Sequence, residues 1–190
     1  MYKVGMKNGL CKLSSVIPGI TEELIYATNN NFTGKAVYPK NAQAYLCNAP
    51  ALRLKKVQDS LAKKQLALKV WDAYRPLSVQ KIFWDLVPDP RYVGNPAVGS
   101  KHNRGAAVDV TLVDHTGREL SMQSAFDDFS ERAHRTFKDC NLEHLENVRI
   151  LTDAMYQAGF VSCHSEWWHF EDPDWQSYPI LDTSFEELTI

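Results

Sequence analysis

Apolar residues recur at helical spacing in two stretches of the chain. From Ala51 to Lys69, leucine and valine fall three or four positions apart, and several lysines occupy the positions between them. Such a stripe is typical of a helix that packs one face on a core. The stretch from Glu146 to Ala158 has the same period, and Gly159 suits the left-handed backbone that commonly follows a helix. We therefore predict two long amphipathic helices.

Three other stretches have the pattern of strands. Leu66 to Tyr74 is predicted to be a buried strand that ends before Pro76, because proline cannot donate to a β-ladder. Ala106 to Val113 alternates between two faces, as a strand does. Phe160 to Phe170 is predicted to be the next extended stretch.

Turn-forming residues divide these elements. They are frequent in the first 50 residues, for which we predict strands and loops around a core. Ser78 is placed to cap a short helix that runs to Leu86, Pro88 to Gly99 is predicted to be a loop, and Gly117 marks a turn. Helices and strands segregate rather than alternate strictly, which favours an α+β fold with a central, mainly antiparallel sheet flanked by helices.

The composition of the chain excludes some classes of protein. The chain has 190 residues, of which 44% are hydrophobic, and we predict one domain over residues 1–190. Its 21 Lys and Arg nearly balance its 23 Asp and Glu, and no segment concentrates basic residues, so no nucleic-acid partner is expected. No apolar run reaches the roughly 18 residues of a membrane span, so no membrane partner is expected. The oligomeric state stays open.

The N-terminus and the cysteines bear on location. Met1 to Cys11 lacks the apolar segment of a secretory signal, so we expect a cytoplasmic protein; a periplasmic one stays open if a leader has been removed. The four cysteines are too far apart for a metal knuckle or a redox pair. We expect reduced thiols, with two disulfides in a periplasmic protein as the alternative.

Two short segments hold the candidate chemistry. The first runs from Ser100 to Asp109 and contains His102, and the second runs from Glu166 to His169. Catalytic zinc usually takes three protein ligands and leaves a fourth position for water. Two imidazoles and one carboxylate suit this ion, so His102, Asp109 and His169 are predicted to hold one zinc ion.

Glu166 suits a different role. A zinc peptidase needs a base that takes a proton from water and passes it to the leaving amine. Glu166 lies three residues before His169, and residues three apart on an ideal strand point to opposite faces. We therefore predict that Glu166 lies on a turn or bulge, with His169 inside the strand that follows.

A third segment adds two charged residues. Arg75 follows a predicted strand and could donate to the oxyanion of a tetrahedral intermediate, while Asp72 could orient that guanidinium or a ligand histidine. Each residue taken singly also has an ordinary structural explanation, such as an ion pair, a loop histidine or an exposed strand position. Spacing alone therefore leaves a catalytic site and a structural arrangement both open.

The ordered motifs resemble those of a known family. Ser-x-His-x-x-Gly-x-Ala-x-Asp followed by Glu-x-Trp-His is similar to the pattern of zinc peptidases in the D-alanyl-D-alanine carboxypeptidase and dipeptidase family. The chain matches it at Ser100, His102, Gly105, Ala107, Asp109, Glu166, Trp168 and His169. Other segments resemble the dipeptidases of the vancomycin-resistance type: Tyr26–Thr28, Asn31–Gly34, Trp71–Pro76, Phe126–Phe129 and Glu131–His134.

The resemblance implies an α+β fold, one zinc ion per chain at the three ligands named above, and Glu166 as base and then acid. It further implies that Arg75 stabilises the oxyanion and that Tyr26, Ser100 and Asp127 lie in the substrate pocket. Asp127 would anchor the free ammonium of a small dipeptide. The implied reaction is hydrolysis of D-alanyl-D-alanine to two D-alanines.

Two alternatives remain at this point. A peptidoglycan D,D-carboxypeptidase or L,D-endopeptidase would use the same zinc site, but it would need an open groove and an extracytoplasmic location. A zinc-bearing binding module without catalysis would keep the metal ligands, and the presence of both Glu166 and Arg75 argues against it.

Overall fold

A computed structural model describes residues 8–189, which form two β-sheets around one hydrophobic core. The strands are β1 (Leu10–Lys12), β2 (Thr21–Glu22), β3 (Tyr45–Cys47), β4 (Leu66–Asp72), β5 (Ala107–Asp114), β6 (Val161–Ser162) and β7 (His169–Glu171). The larger sheet has the order β2-β4-β5-β7-β6 and is antiparallel except for the β2–β4 pair. Strands β1 and β3 form a separate antiparallel pair. The predicted α+β fold with a mainly antiparallel sheet is confirmed.

Five helices lie within residues 8–189. They are α1 (Leu13–Val16), α2 (Asn48–Ala62), α3 (Leu77–Leu86), α4 (Leu142–Gln157) and α5 (Phe185–Leu188), with 3-10 turns at Ile25–Ala27, His102–Arg104, Glu131–Ala133 and Trp175–Ser177. Helix α2 packs on β4, and α4 packs on both α2 and β5. The apolar stripes predicted for the two long helices are the faces that they bury.

The middle strand β5 is buried on both of its faces. Its first seven residues, 107–113, are all buried, and Val108, Val110 and Leu112 have no exposed surface. The alternation in the sequence therefore separates two buried faces of the strand, not a buried face from a solvent-exposed one. Each large aliphatic side chain buried in this way contributes roughly 1.5–3 kcal/mol to the stability of the folded state. Strand β5 is therefore a rigid support for the residues placed on it.

Several element ends differ from the prediction. Helix α2 ends at Ala62, because the chain reverses through Gln65, whose φ is 59°, before β4 begins. Ser78 is not the cap of α3: that helix begins at Leu77, and the N–H of Ser78 donates to Asp182 Oδ1 at 2.7 Å. Helix α4 begins four residues earlier than predicted, at Leu142.

The N-cap of helix α4 is Asn141, whose side chain accepts from the N–H of Glu143 at 2.8 Å. Gly159 has the predicted left-handed backbone, with φ of 89°.

The four cysteines are unpaired within the described part of the chain. No helix of residues 8–189 is both long and apolar enough to cross a bilayer. Most of the N-terminal stretch considered for a leader lies outside the described residues.

Candidate active site

The register of the larger sheet brings two of the predicted metal ligands together. Asp109 of β5 lies directly opposite His169 of β7, and Asp72 of β4 lies opposite Asp109. Directly opposed residues of an antiparallel pair project to the same face. A bulge between Val70 and Asp72 changes the phase of β4, and this change puts Asp72 on the face that carries Asp109.

The third predicted ligand comes from the turn before β5. His102 begins a 3-10 turn that ends at Gly105, which has a left-handed φ of 61°. The carbonyl of Gly105 accepts from the N–H of Cys47 at 2.8 Å, so the turn is tied to β3. Nδ1 of His102 lies 2.7 Å from the carbonyl oxygen of Ala73. Nδ1 is therefore the protonated nitrogen, and the lone pair of Nε2 is free for a metal.

The side chains of the three predicted ligands converge on one point. Nε2 of His102 lies 3.2 Å from Nδ1 of His169 and 3.5 Å from Oδ2 of Asp109. Nδ1 of His169 lies 3.0 Å from Oδ1 of Asp109, and all three residues are buried. Tetrahedral zinc with bonds of about 2.0–2.2 Å holds its ligand atoms about 3.3 Å apart. The donor set and its spacing therefore fit zinc.

Glu166 lies beside this cluster, directly before a turn at Trp167 and Trp168. It occupies the non-strand segment between β6 and β7, where we predicted it, and its Oε2 lies 3.9 Å from Nδ1 of His169. Burial raises the pKa of Glu166 above its ordinary value. Arg135 closes this segment by donating from Nε to the carbonyl of Cys163 at 2.9 Å and from Nη2 to the carbonyl of His169 at 2.7 Å.

Arg75 is held in place from several sides. It donates to Oδ2 of Asp72 from Nη2 at 2.6 Å and from Nε at 3.1 Å, and both residues are buried. The hydroxyl of Tyr38 donates to the other oxygen of Asp72 at 2.7 Å. Nη1 of Arg75 donates to Oε1 of Gln80 at 2.9 Å, and the guanidinium lies over the ring of Phe83. Asp72 thus has the contacts predicted for a residue that orients Arg75.

The cluster opens into a cavity of about 260 Å³. All the residues predicted for the site line it except Asp72: Tyr26, Arg75, Ser100, His102, Asp109, Asp127, Glu166 and His169. Aromatic rings form much of the remaining wall, from Phe32, Phe83, Tyr92, Phe129 and Trp168. Pockets for drug-sized ligands usually hold about 300–1,000 Å³, so this cavity suits a smaller molecule.

Two of the predicted substrate residues contact each other in the cavity. The hydroxyl of Tyr26 lies 3.1 Å from each carboxylate oxygen of Asp127. Burial, together with the charge of Asp109, raises the pKa of Asp127 to about 8. Ser100 has a contact of another kind, since its Oγ accepts from the N–H of His102 at 3.1 Å.

Four further residues contact the site and were missed in the sequence. Tyr38 and Gln80 hold the Asp72–Arg75 pair, Arg135 closes the segment that carries Glu166, and Glu171 lies 3.2 Å from Nε2 of His169. Of these four, only Glu171 could have been found from the sequence. It lies two residues after His169, and residues two apart on a strand share a face.

Comparisons with known proteins identify the family of this chain. The model of a family described as D-ala-D-ala dipeptidase matches residues 6–188. A D-alanyl-D-alanine dipeptidase of Escherichia coli is 39% identical, over 93% of this chain and 91% of the relative. A protein of the same name from Enterococcus faecalis is 34% identical, over 95% and 98% of the two chains.

A further relative of that name, from Enterococcus faecium, is 30% identical over 92% of this chain and 96% of its own. Among solved structures, an LD-carboxypeptidase, LdcB, has a TM-score of 0.46 and 22% identity, and the match covers 67% of this chain and 59% of that one. The family match spans nearly the whole chain, and the chain belongs to the D-ala-D-ala dipeptidase family of peptidases.

Proposed function

We propose that the chain is a zinc dipeptidase that hydrolyses D-alanyl-D-alanine to two D-alanines. The observation that carries the proposal is the convergence of two imidazole nitrogens and the Asp109 carboxylate, with one ligand atom of each residue within 4.8 Å of the others, beside Glu166 and inside a small cavity. Family membership and the names of three relatives support the same substrate.

His102, Asp109 and His169 would hold the metal through two imidazole nitrogens and one carboxylate oxygen. Bound there, zinc would polarise the peptide carbonyl and lower the pKa of a water molecule from about 15.7 to about 7. The ligand atoms already lie close together on strands and a turn, so zinc binding would need little rearrangement.

Glu166 would move the proton. Its carboxylate takes a proton from the attacking water and later gives it to the leaving amine, which is the usual work of a general base that becomes an acid. Burial raises the pKa of Glu166, and this direction favours a carboxyl that holds the proton between the two transfers. Its Oε2 lies 3.9 Å from Nδ1 of His169, a distance that supports a role beside the metal rather than as a fourth ligand.

Arg75 would stabilise the oxyanion that develops on the substrate carbonyl. Asp72 accepts two of its N–H groups and Gln80 accepts another, so the guanidinium is fixed before the reaction begins. A donor that needs no reorganisation at the moment of reaction stabilises the transition state more than a mobile one does.

Asp127 would bind the free ammonium of the dipeptide. Its carboxylate is buried where ionisation is unfavourable, and a substrate ammonium supplies the opposite charge that offsets this cost. Tyr26 would hold the carboxylate in place through its hydroxyl, and Ser100 would lie at the substrate beside the His102 turn. A peptide extended at its amino end lacks this charge and meets the aromatic wall, which favours a dipeptidase over a carboxypeptidase or endopeptidase.

A dipeptide panel tests the proposal. The substrates are D-alanyl-D-alanine, its L,L and mixed isomers, its N-acetyl derivative, and a pentapeptide that ends in D-alanyl-D-alanine, each with and without a chelator. We expect hydrolysis of the free D,D-dipeptide only in the absence of chelator and at least a hundredfold loss on N-acetylation. Cleavage that survives the chelator contradicts the zinc mechanism, and preference for the pentapeptide supports the carboxypeptidase instead.

Removing the base tests the assigned roles. Glu166→Ala should bind zinc as wild type does, because Glu166 is not a ligand, yet should lose turnover by about 10²–10⁴-fold, the usual contribution of a general base. Zinc content and kcat on D-alanyl-D-alanine are the measurements. A variant that keeps wild-type kcat contradicts the assignment of Glu166, whatever its zinc content.

A further inference from the structure

Glu171 and Lys101 form an ion pair next to the metal ligands. Glu171 follows His169 by two residues on β7, so the two side chains share one face of the sheet. Its Oε2 lies 3.2 Å from Nε2 of His169 and 3.0 Å from Nζ of Lys101. Glu171 is buried, which keeps water from competing for these contacts.

Glu171 is the partner of the His169 nitrogen that carries the proton once a metal is held at the other one. A neutral imidazole has one N–H and one lone pair, and an ionised carboxylate can only accept a hydrogen bond. Both ring nitrogens of His169 face a carboxylate, Nδ1 that of Asp109 and Nε2 that of Glu171. With a metal between Nδ1 and Asp109, the lone pair lies on Nδ1 and Nε2 donates to Glu171. Nδ1 is the atom that lies 3.0 Å from Asp109 and 3.2 Å from Nε2 of His102.

Lys101 connects the two halves of the metal site. It precedes His102 in the chain, so its ion pair with Glu171 ties the His102 turn to β7. Its ammonium also lies 5.5 Å from the ring centroid of Trp175, a distance suited to a cation–π contact. The ammonium thus has two partners that fix it beside Glu171.

We propose that the Lys101–Glu171 pair is the positioning device that sets the metal affinity of this site, by holding His169 in the tautomer that presents Nδ1. This inference rests on the zinc site of the proposed function. Carboxylates that hold ligand histidines typically change metal affinity by 10–100-fold when they are replaced. Neither residue is assigned a contact with substrate.

The test measures zinc affinity directly, by competition with a chromophoric chelator on the metal-free full chain. Glu171→Gln is nearly isosteric, but its amide can donate as well as accept and no longer specifies the tautomer of His169. We expect zinc to bind 10–100-fold more weakly to this variant. Lys101→Met keeps an unbranched side chain of similar length, removes the charge and should weaken binding in the same direction by a smaller factor.

Glu119→Gln is the matched control. Glu119 accepts from Lys69 at 2.9 Å and from the ring Nε1 of Trp71 at 3.3 Å, which is the same arrangement of lysine, carboxylate and ring N–H outside the metal site. We expect its zinc affinity to equal that of wild type. Thermal unfolding of each metal-free variant separates a loss of affinity from a loss of folding.

The possible outcomes separate this inference from the proposed function. Wild-type affinity in both Glu171→Gln and Lys101→Met overturns the inference and leaves the zinc dipeptidase intact. Equal weakening in Glu119→Gln also overturns it, because the effect would then come from any loss of charge on the sheet. A wild-type chain that binds no zinc overturns the proposed function itself. If Glu171→Gln does not fold, the affinity of Lys101→Met decides.

Discussion

At Asp127 the fold holds a carboxyl where ionisation is costly. Burial and the negative charge of Asp109 raise its pKa from 3.8 to about 8. Its backbone is also left-handed, with φ of 57°, a conformation that asparagine and aspartate tolerate better than most residues. Two unfavourable features at one residue of the cavity are consistent with a role in binding, because a substrate ammonium offsets the first of them.

Asp127→Asn should therefore change how stability depends on pH. In the unfolded chain Asp127 loses its proton near pH 3.8, whereas in the metal-free folded protein it keeps the proton until about pH 8. A raised pKa means that the folded state binds more protons across this window, so wild-type stability falls as pH rises through it. The variant lacks this penalty and keeps the left-handed backbone.

We expect the variant to gain stability relative to wild type as pH rises from about 4 to about 8, and to lose activity on D-alanyl-D-alanine. Urea denaturation of both metal-free proteins at several pH values measures the difference in free energy of unfolding. Parallel stability curves for the two proteins would show that Asp127 ionises at its ordinary pKa.

Single residues of the site differ in how well the sequence indicates them. His102, Asp109, Glu166 and His169 belong to spaced motifs whose residue types match one chemistry, so the sequence predicts them as a group. The two residues that hold Asp72 and Arg75 come from other segments and belong to no motif: Tyr38 and Gln80. Their contacts depend on tertiary folding, which local pattern does not encode.

Among the elements, the turn from His102 to Gly105 has no room for a side chain at Gly105. Gly105 has a left-handed φ of 61°, and a Cβ there would lie 2.4 Å from Cδ2 of Leu10 and 3.1 Å from the backbone nitrogen of Cys47. Gly117, in the turn after β5, also has a left-handed φ of 85°, but a Cβ there would meet nothing within 4 Å. Both glycines have a left-handed backbone that would strain any other residue, and they differ in packing.

Gly105→Ala and Gly117→Ala form a matched pair on this basis. Both replacements carry the left-handed cost of roughly 1–2 kcal/mol. Gly117→Ala should have no further cost in stability and should keep wild-type zinc affinity and kcat. Gly105→Ala must also move the turn away from β1 and β3, so we expect a larger loss of stability together with weaker zinc binding through His102. Urea denaturation and zinc titration measure the two effects, and equal behaviour of the pair would refute the packing argument.

Elements were predictable where a pattern is long and local. Helices α2 and α4 have stripes of several turns, and their existence follows from periodicity, while the end of α2 depends on the turn at Gln65 and the start of α3 on a contact with distant Asp182. Strands β6 and β7 have two and three residues, too few to define a period. The register that sets Asp109 against His169 is a tertiary property and was not predictable from spacing.

The site as a whole joins distant parts of the chain. His102 and His169 are 67 residues apart, and Tyr26 and Asp127 are 101 residues apart, yet each pair is in contact. A metal held by β5, β7 and the His102 turn therefore binds only a chain whose central sheet has formed. Binding of this kind adds its free energy to folding, because the unfolded chain has no such site.

Zinc should consequently raise the melting temperature of the whole protein. At a free zinc concentration about 100 times Kd, the gain is about 2.7 kcal/mol. A domain of this size shifts by roughly 2–4 °C for each kcal/mol, so we expect a rise of about 5–10 °C over the metal-free protein. His102→Ala removes a ligand and should abolish most of the rise, whereas His115→Ala, at an exposed turn, should keep it. Calorimetry with chelator and with buffered zinc measures both. A rise that persists in His102→Ala would mean that the stabilising ion binds elsewhere, since a three-ligand site with one imidazole missing loses most of its affinity.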